Sequence, residues 1–331
     1  MSERALQDAP AVSMSAGTGF EHRLVAVMHP GTAAWLPGQG NRNAERNQMR
    51  RKLLGVVLGG LLAGAGLVRA DEPAGPNTGA MSFSGGIDFV TAYVFRGYMQ
   101  EDQGLIAQPY LQLSLEAFDA GGVKLTPYAG IWSSVHSEHT GTDGSNDAWY
   151  EADIFGGVNT TIGDFTVGII YTEYTYPNGA FKSIGEIGLK VSWADAQTMK
   201  KAGLPFALNP SAGVYFETSD GNGSEDAYLE LGIAPTFETK LGKVPVTLAV
   251  PIVGGFSLDD YYLDSSGDDE LFGYLSIGLT ATAGLPMPAR YGSWSLTGGV
   301  YYYHFAADSA EASNNNDDYE IVGKIGVAFT Y

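Results

Sequence analysis

The sequence contains no cysteine among its 331 residues, which excludes disulfides, thiolate catalysis and cysteine-ligated metals. Beyond residue 70 it lacks any run of 18 apolar residues, so that part of the chain cannot cross a membrane as a helix. Basic residues are scarce as well: residues 71–331 contain ten Lys or Arg and 33 Asp or Glu, a net charge of −23. Nucleic acid is therefore excluded as a partner, because its phosphates would be repelled.

The first 70 residues differ from the rest in both charge and pattern. A basic segment, Met49–Lys52, precedes an apolar, Gly-rich stretch up to Val68, and Val68-x-Ala70 matches a signal-peptide cleavage site. This pattern predicts a signal peptide over residues 49–70 and export of the protein. Residues 1–48 have no clear periodicity, and we interpret them as a mis-assigned start or a disordered N-terminal extension.

The mature domain, residues 71–331, consists of short alternating segments rich in Gly, Tyr and Phe, a composition that favours β-strands. In one of them Leu111 and Leu113 lie on one face, while Gln112 and Ser114 lie on the other. The pattern predicts twelve strands, although ten or fourteen are also compatible with it. The predicted ranges are 82–97, 105–117, 123–135, 149–160, 165–174, 181–193, 207–217, 227–238, 244–255, 271–282, 293–305 and 320–331.

The last predicted strand alternates apolar with small or polar residues and places Tyr331 at the final position. A terminal strand of a soluble sandwich would explain the alternation. A transmembrane barrel strand explains the aromatic residues as well, because it presents its apolar face to lipid and its aromatic side chains to the interface. The pattern also resembles the C-terminal signal that outer-membrane barrels present to the barrel-assembly machinery. Phe329 and Tyr331 are the predicted assembly signal.

Charge is sorted between the two sets of predicted connections. The six connections at one end contain 18 acidic residues and no Lys or Arg, whereas the five at the other end contain three acidic and five basic residues. A soluble sandwich has no reason to sort charge in this way. We therefore predict an all-β fold, a transmembrane antiparallel up-and-down β-barrel of about 12 strands in a Gram-negative outer membrane. The six acidic connections are 99–104, 136–148, 175–181, 218–226, 257–270 and 306–319.

Several short motifs resemble those of one family. Tyr93–Gly97 reads YVFRG, Tyr128–Ser134 reads YAGIWSS, and Tyr174–Pro177 reads YTYP. Together with Glu151 and Asp153, these motifs resemble the TorF-like porin family of Gram-negative outer-membrane proteins. The resemblance covers roughly residues 85–195. It implies a barrel pore, without implying a particular solute.

Charged residues on the inner face of the predicted barrel are the candidate functional residues. They would form either a charged constriction that selects solutes or a salt-bridge network that fills a narrow barrel. Arg96, whose planar fork suits carboxylates, is expected to pair with an inward acid, either Glu151, Asp153 or Glu186. The predicted pore-lining residues are Asp88, Arg96, Glu116, Lys124, Glu151, Asp153, Glu186, Lys190, Glu230 and Lys324.

The acidic connection 257–270 offers oxygen ligands for a divalent cation, although a solvated loop explains the same residues. The candidate ligands are Asp259, Asp260, Asp264, Asp268, Asp269 and Glu270. His136 and His139 lie near Ser134, but a Ser-rich loop brings such residues together by chance, and no enzyme activity is predicted. No cofactor is predicted either.

The sequence thus predicts a porin-like outer-membrane channel for passive diffusion of small hydrophilic solutes or ions, with a preference for cations. Its expected partners are outer-membrane lipids, the barrel-assembly machinery and the permeating solutes or cations. The alternative is a non-conducting structural or adhesive barrel whose acidic loops bind a partner. An outer-membrane hydrolase is a further, less favoured alternative.

Cleavage after Ala70 should leave Asp71 at the start of the mature protein, because Val68-x-Ala70 follows the apolar stretch at the usual position of a cleavage site. N-terminal sequencing and the intact mass of protein purified from outer membranes check this prediction. A mature protein that still carries residues 1–48 would contradict it.

Overall fold

The structure, a computed structural model, describes residues 79–140, 148–219 and 226–331. The predicted N-terminal extension and signal peptide, together with residues 71–78, lie outside the described residues. Within the described ranges, no helix has the length and apolar character needed to cross a membrane.

β-Strands dominate the described residues, accompanied by short helices. The α-helices are α1 Ala196–Lys201 and α2 Asp308–Ser313, and a 3-10 turn spans Ala289–Tyr291. The strands are β1 Met81–Val90, β2 Tyr93–Phe95, β3 Tyr98–Glu101, β4 Ile106–Leu115, β5 Phe118–Ala120, β6 Val123–His136, β7 Trp149–Ile162, β8 Phe165–Thr175, β9 Ile184–Trp193, β10 Ser211–Ser219, β11 Ala227–Ile233, β12 Thr236–Leu241, β13 Val244–Ala249, β14 Ile252–Asp259, β15 Phe272–Leu285, β16 Ser293–Phe305 and β17 Tyr319–Thr330.

Antiparallel pairing between successive strands builds a closed barrel, because the first wall strand, β1, pairs with the last, β17. Ser84 pairs with Thr330 and Val90 with Lys324 across this seam. Three wall strands are each interrupted by two residues, so β4 with β5, β11 with β12, and β13 with β14 act as single strands. β2 and β3 form a separate small sheet. The wall of the described barrel therefore has twelve strands, which confirms the predicted fold class.

Two of the interruptions contain prolines, Pro235 and Pro251. Proline has no backbone N–H to donate to a neighbouring strand, so the ladder is locally broken. The Val250 N–H instead donates to the Pro235 carbonyl at 2.9 Å, which joins the two interruptions. The prediction of one continuous strand over 244–255 is therefore wrong in detail, because a proline-centred break divides it.

The two faces of the wall differ in polarity. The Leu111 side chain points outward and is exposed, whereas its neighbour Gln112 points into the barrel. Aromatic pairs lie on the outer surface near the rims; the rings of Trp294 and Phe329, for example, stack with centroids 5.2 Å apart. An apolar outer face bounded by aromatic residues is the surface of a transmembrane barrel, and this barrel resides in the outer membrane.

The two ends of the barrel differ in their connections. At one end, which we call the terminal end, Phe83 and Tyr331 exchange backbone hydrogen bonds of 2.8 and 2.7 Å, and most turns are short. The longest terminal-end connection contains α1 and is anchored by buried Asp195, whose carboxylate accepts the Leu208 and Asn209 N–H groups at 2.9 Å. At the other end, which we call the loop end, the connections are mostly longer and carry buried residues.

The first wall strand is shorter than predicted. β1 ends at Val90, and the YVFRG motif of Tyr93–Gly97 lies in the β2–β3 hairpin instead of the wall. The prediction of a strand over 82–97 is therefore wrong beyond Val90. The physical reason is burial: Tyr93 and Tyr98 are 7% and 1% exposed in the hairpin, and large aromatic side chains gain most from leaving water.

A positive charge on the outer face should destabilise this barrel, because the outer face contacts lipid. We expect Leu111→Arg to cost about 2–4 kcal/mol of folding free energy, the typical cost of an arginine facing the bilayer interior. Gln112→Arg is the matched control, one residue away on the lumen face, and should cost far less. Urea titration of the protein folded into lipid vesicles measures both. Equal losses for the two variants would show that the faces are assigned wrongly.

Candidate functional site

A short hairpin, which we call the inner hairpin (Tyr93–Glu101), lies at the loop end of the barrel. β2 and β3 are joined by Arg96 and Gly97, whose φ angles are both positive, 46° and 80°. Two positive φ values are typical of the type I′ turn, which matches the twist of paired strands. Glycine adopts this backbone freely, whereas Arg96 does so at a cost of about 1–3 kcal/mol. The contacts of Arg96 therefore have to compensate for its strained backbone.

Arg96 is held by one carboxylate and by several aromatic rings. Its two Nη atoms donate to the two carboxylate oxygens of Glu186 at 2.5 and 2.9 Å, and the side chains are only 9% and 4% exposed. The guanidinium carbon lies 4.3 Å from the ring centroid of Tyr215, 4.4 Å from that of Tyr228 and 5.7 Å from that of Tyr261. The Arg96–Glu186 ion pair is thus bidentate, and tyrosine rings make cation–π contacts around it. Both features suit a planar guanidinium.

The register of the wall strands places these groups beside one another. Glu186 lies on β9, Tyr215 on β10 and Tyr228 on β11, and Tyr215 pairs directly with Tyr228. The Tyr174 hydroxyl donates to Glu186 Oε1 at 3.1 Å and so fixes the carboxylate. The Tyr215 ring lies against Gly188, where a Cβ atom would come within 2.7 Å of the ring. A glycine at this position therefore leaves the space that the ring fills.

Further hydrogen bonds join the inner hairpin to the loop between β14 and β15. The Tyr98 hydroxyl donates to the Tyr261 carbonyl at 2.8 Å, and the Tyr262 hydroxyl donates to the Arg96 carbonyl at 2.8 Å. Tyr98, Tyr261 and Tyr262 are each at most 2% exposed. The hairpin therefore packs directly against this loop.

The second strand of the inner hairpin contacts two other loops. The Met99 N–H donates to Ser313 Oγ of α2 at 2.8 Å, and Glu101 accepts the Thr140 hydroxyl at 2.5 Å. Burial raises the pKa of the Glu101 carboxyl above its ordinary value, against the lowering effect of this hydrogen bond. The hairpin is therefore fixed along its whole length.

Buried apolar residues form two clusters within the described part of the chain, and the inner hairpin contributes to both. The first cluster comprises Ala92, Tyr98, Met99, Tyr228, Tyr261, Tyr262, Tyr274, Tyr301, Phe305, Ala307, Ala310 and Val322. The second comprises Tyr93, Ile106, Tyr150, Tyr174, Tyr176, Ala180 and Ile184. These side chains come from the hairpin, the loops and the inward face of the wall, so the loop-end half of the barrel has a packed core.

The terminal half of the barrel interior is different. Its inward positions carry small polar side chains that are only half-buried, including Ser82, Ser84, Gln112, Ser114, Thr126, Ser192, Ser211, Thr282, Ser295 and Thr297. Lys190 and Glu230 also face the interior and are half-buried. Solvent therefore reaches the lumen from the terminal end, and the aromatic core limits its passage at the loop end.

Several predicted pore-lining residues form ion pairs along the wall. Asp88 and Lys324 pair across the β1–β17 seam with a 2.6 Å separation between Oδ2 and Nζ, and both side chains are largely buried. Glu116 and Lys124 form a partly exposed pair near the terminal end. Arg96 is the one predicted residue that does not belong to a wall strand or its end.

Glu151 and Asp153 point into the barrel from β7 and are 1% and 8% exposed. The Tyr93 hydroxyl donates to Glu151 Oε2 at 2.8 Å. Among the described residues, Glu151 Oε1 and Asp153 Oδ1 have no hydrogen-bond partner. Of the three acids expected to pair with Arg96, the structure therefore selects Glu186, and the other two form no ion pair with a described residue.

The Ser134 hydroxyl lies 2.7 Å from Nε2 of His136, and Nδ1 of His136 lies 2.6 Å from the Thr140 hydroxyl. The first distance is that of a nucleophile and its base. Ser134 and His136 are 0% and 2% exposed, however, so a lipid or peptide substrate cannot reach the hydroxyl in this structure. The arrangement is a buried hydrogen-bond chain that continues to Glu101.

The acids of the β14–β15 loop mostly bind neighbouring groups. Asp264 accepts the Ser266 and Asp268 N–H groups at 2.8 and 3.0 Å, and Asp269 accepts the Ser257 hydroxyl. Among the described residues, no group of three or more Asp, Glu or His is placed to hold a metal ion. Parts of two other acidic connections, residues 141–147 and 220–225, lie outside the described residues.

A family model described as "Bacterial protein of unknown function (Gcw_chp)" matches residues 71–291. This match contains the whole inner hairpin, Glu186 and the three tyrosines around Arg96. No curated protein sequence matches the chain.

Solved structures similar to the chain are barrels of low sequence identity. The COG4313 outer membrane channel from Pseudomonas putida F1 has a TM-score of 0.44 and 8% identity, covering 80% of this chain and 100% of that one. CdiB from Acinetobacter baumannii has a TM-score of 0.39 and 10% identity, covering 76% of this chain and 60% of that one, so the chain spans less than two thirds of CdiB. The NanC porin has a TM-score of 0.35 and 12% identity, covering 76% and 99%.

Trypsin should reveal whether Glu186 holds the inner hairpin in place. We expect Glu186→Gln to leave Arg96 as an unpaired buried charge and to raise cleavage after Arg96 at least about tenfold, because a change of only ~1.4 kcal/mol suffices for that factor. Mass spectrometry of the fragments measures the rate, and exposed Lys182 in the same protein is an internal reference.

Glu116→Gln is the matched control variant, because it removes a carboxylate from a partly exposed pair near the terminal end. It should not change cleavage after Arg96. An unchanged rate in Glu186→Gln as well would show that the ion pair does not hold the hairpin.

Proposed function

This chain belongs to the Gcw_chp family of bacterial proteins of unknown function, and from that premise we propose that it is a gated outer-membrane channel for small hydrophilic solutes or ions. The observation that carries the proposal is the contrast between the two halves of the barrel. The terminal half has a polar, partly exposed lining, whereas the loop-end half is closed by the inner hairpin and by tyrosines of the wall and loops that pack against it. A barrel that served only as a scaffold would have no need of a polar lumen beneath a packed closure.

The closure rests on a segment that can separate from the wall without breaking it. The inner hairpin contributes no strand to the barrel ladder, whereas the β14–β15 loop is bridged to β11 through Asp260 and Ala227. Displacement of the hairpin alone would therefore open the loop end while the twelve wall strands keep their hydrogen bonds. Loops that fold into a barrel and gate it by moving act on the microsecond to second timescale.

At a finer level we propose that the channel is a porin of the TorF-like type. The motifs that carry this resemblance build the closure: YVFRG contains Arg96, and YTYP contains Tyr174, which donates to Glu186. Glu151 binds Tyr93 of the hairpin. The same residues therefore account for both the resemblance and the gate.

A preference for cations follows from the charge of the loop end. The six connections there contain 18 acidic residues and no Lys or Arg, so the entrance carries a net negative charge. Low-dielectric walls focus such a field, so cations should be concentrated at the entrance and anions depleted.

Two other functions fit the structure less well. A hydrolase would need an accessible nucleophile, but the Ser134–His136 pair is buried. A purely adhesive barrel would use its acidic loops for a partner, yet several of those acids bind their own backbone or a neighbouring hydroxyl. We therefore propose passive transport without catalysis and without a cofactor.

Recordings in planar bilayers should show rare, short openings for the wild type and frequent openings for Glu186→Gln.

In a KCl gradient the reversal potential should indicate K⁺ preference over Cl⁻. The preference should be larger at ~0.01 M than at ~1 M salt, because the Debye length falls from about 30 Å to about 3 Å. Anion preference at low salt would contradict the proposed selectivity. A silent Glu186→Gln variant whose hairpin trypsin cleaves would instead favour the non-conducting barrel.

A further inference from the structure

Most of the groups that hold Arg96 lie outside the inner hairpin, which itself contributes the Phe95 ring, 5.0 Å from the guanidinium carbon. Glu186, Tyr215 and Tyr228 lie on wall strands, and Tyr261 lies in the β14–β15 loop. We call these four residues the guanidinium cage. Arg96 enters it from a separate segment, 90 residues away in sequence from Glu186. The cage therefore supplies the groups that bind a guanidinium, and the hairpin supplies the guanidinium that they bind.

The chemistry of the cage suits a planar cation in particular. Both oxygens of Glu186 accept parallel N–H bonds from Arg96, a fork that ammonium groups and metal ions cannot supply. Two ring centroids lie within 4.4 Å of the guanidinium carbon, as expected for rings that contact the face of a flat, weakly hydrated cation. Tyr261 Oη adds an acceptor 3.5 Å from Nη1. The Glu186 carboxylate, the tyrosine rings and the Tyr261 hydroxyl are therefore arranged for a guanidinium better than for Na⁺, K⁺ or the ammonium group of lysine.

Removal of Arg96 would leave the cage strongly attractive to such a cation. Glu186, only 4% exposed while Arg96 is in place, would then be a carboxylate without its partner. An uncompensated buried charge is unfavourable and is relieved by any suitable counterion that can enter. A guanidinium ion has the shape and charge of the group that would be missing.

We propose that the cage is a binding site for small solutes bearing a guanidinium group, and that Arg96 occupies it as an internal ligand while the channel is closed. A guanidinium-bearing solute takes the place of Arg96 when the inner hairpin moves away. This solute class rests on the channel function proposed above, whereas the binding itself does not require conduction.

Chemical rescue of Arg96→Ala tests the binding in detergent solution. Guanidinium chloride at about 1–20 mM, far below denaturing concentrations, should raise the Tm of Arg96→Ala, because it fills the cage. NaCl at equal concentration should not, and the wild type, whose cage is filled, should not respond. In the double variant Arg96→Ala/Glu186→Gln, guanidinium should bind at least about tenfold more weakly, since the charged acceptor is gone.

If Arg96→Ala does not fold in buffer alone, the rescue is measured during refolding instead. Guanidinium should then restore the folded, heat-modifiable band on a gel, and NaCl should not. Equal effects of guanidinium and NaCl, or equal binding to Arg96→Ala and the double variant, would overturn the proposal.

Planar bilayers separate this proposal from the channel function. Millimolar guanidinium should block the current of Arg96→Ala, and equal NaCl should not. Binding in detergent without any current in bilayers would support the cage and contradict the channel. Current without guanidinium binding would overturn the cage and leave the channel standing.

Discussion

The buried ion pair between Arg96 and Glu186 is the interaction on which the closed end of this barrel depends. A guanidinium inside a protein is tolerated only where a carboxylate and further hydrogen bonds replace its hydration, and loss of one partner typically costs about 3–5 kcal/mol. Arg96 has a strained backbone as well, with φ of 46°. The hairpin can therefore enter the barrel only because Glu186 faces it from β9, fixed by Tyr174.

The packing around this pair explains how a twelve-stranded barrel fills its interior. Barrels of eight strands are filled by side chains, whereas those of sixteen or more enclose a channel. Here the loop-end half is filled by a hairpin, loops and tyrosines, and the terminal half keeps a polar lining. Because the inner hairpin fills this half without contributing a strand to the wall, its proposed displacement would open the barrel without any change in the strand ladder.

The wall could be predicted from the sequence, because alternation with period two is a local property of each strand. Leu111 and Gln112 show it directly, and the twelve predicted ranges match the wall apart from the first strand and the proline-broken ones. The inner hairpin could not be separated from β1 in the same way, since the apolar run Tyr93–Phe95 follows the end of β1 after only two residues and reads like its continuation. One sequence signal could have separated them. Arg96 and Gly97 form a two-residue spacer between apolar runs, and a glycine in such a spacer indicates a hairpin turn.

The candidate site was predicted in part. Pairing of Arg96 with an inward acid followed from the chemistry of the guanidinium, but the choice of Glu186 over Glu151 depends on how deep the hairpin enters, which is a property of the tertiary fold. The tyrosines of the cage were not predicted. The candidates on the inner face were chosen among charged residues, and Tyr215 and Tyr228 are uncharged. Their spacing from Glu186, across three neighbouring strands, becomes visible only with the strand register.

The most direct test of the central claim, that the inner hairpin closes an otherwise continuous lumen, uses the absence of native cysteine. Met99→Cys with Ser313→Cys places one thiol on the hairpin and one on α2, at the point where the Met99 N–H contacts Ser313 Oγ at 2.8 Å. A disulfide between the two thiols would lock the hairpin to α2. Single-channel recording should show no openings while the disulfide is intact and a return of openings after reduction, in the same bilayer. Openings of equal frequency in the oxidised protein, with the disulfide verified by mass spectrometry, would contradict the account.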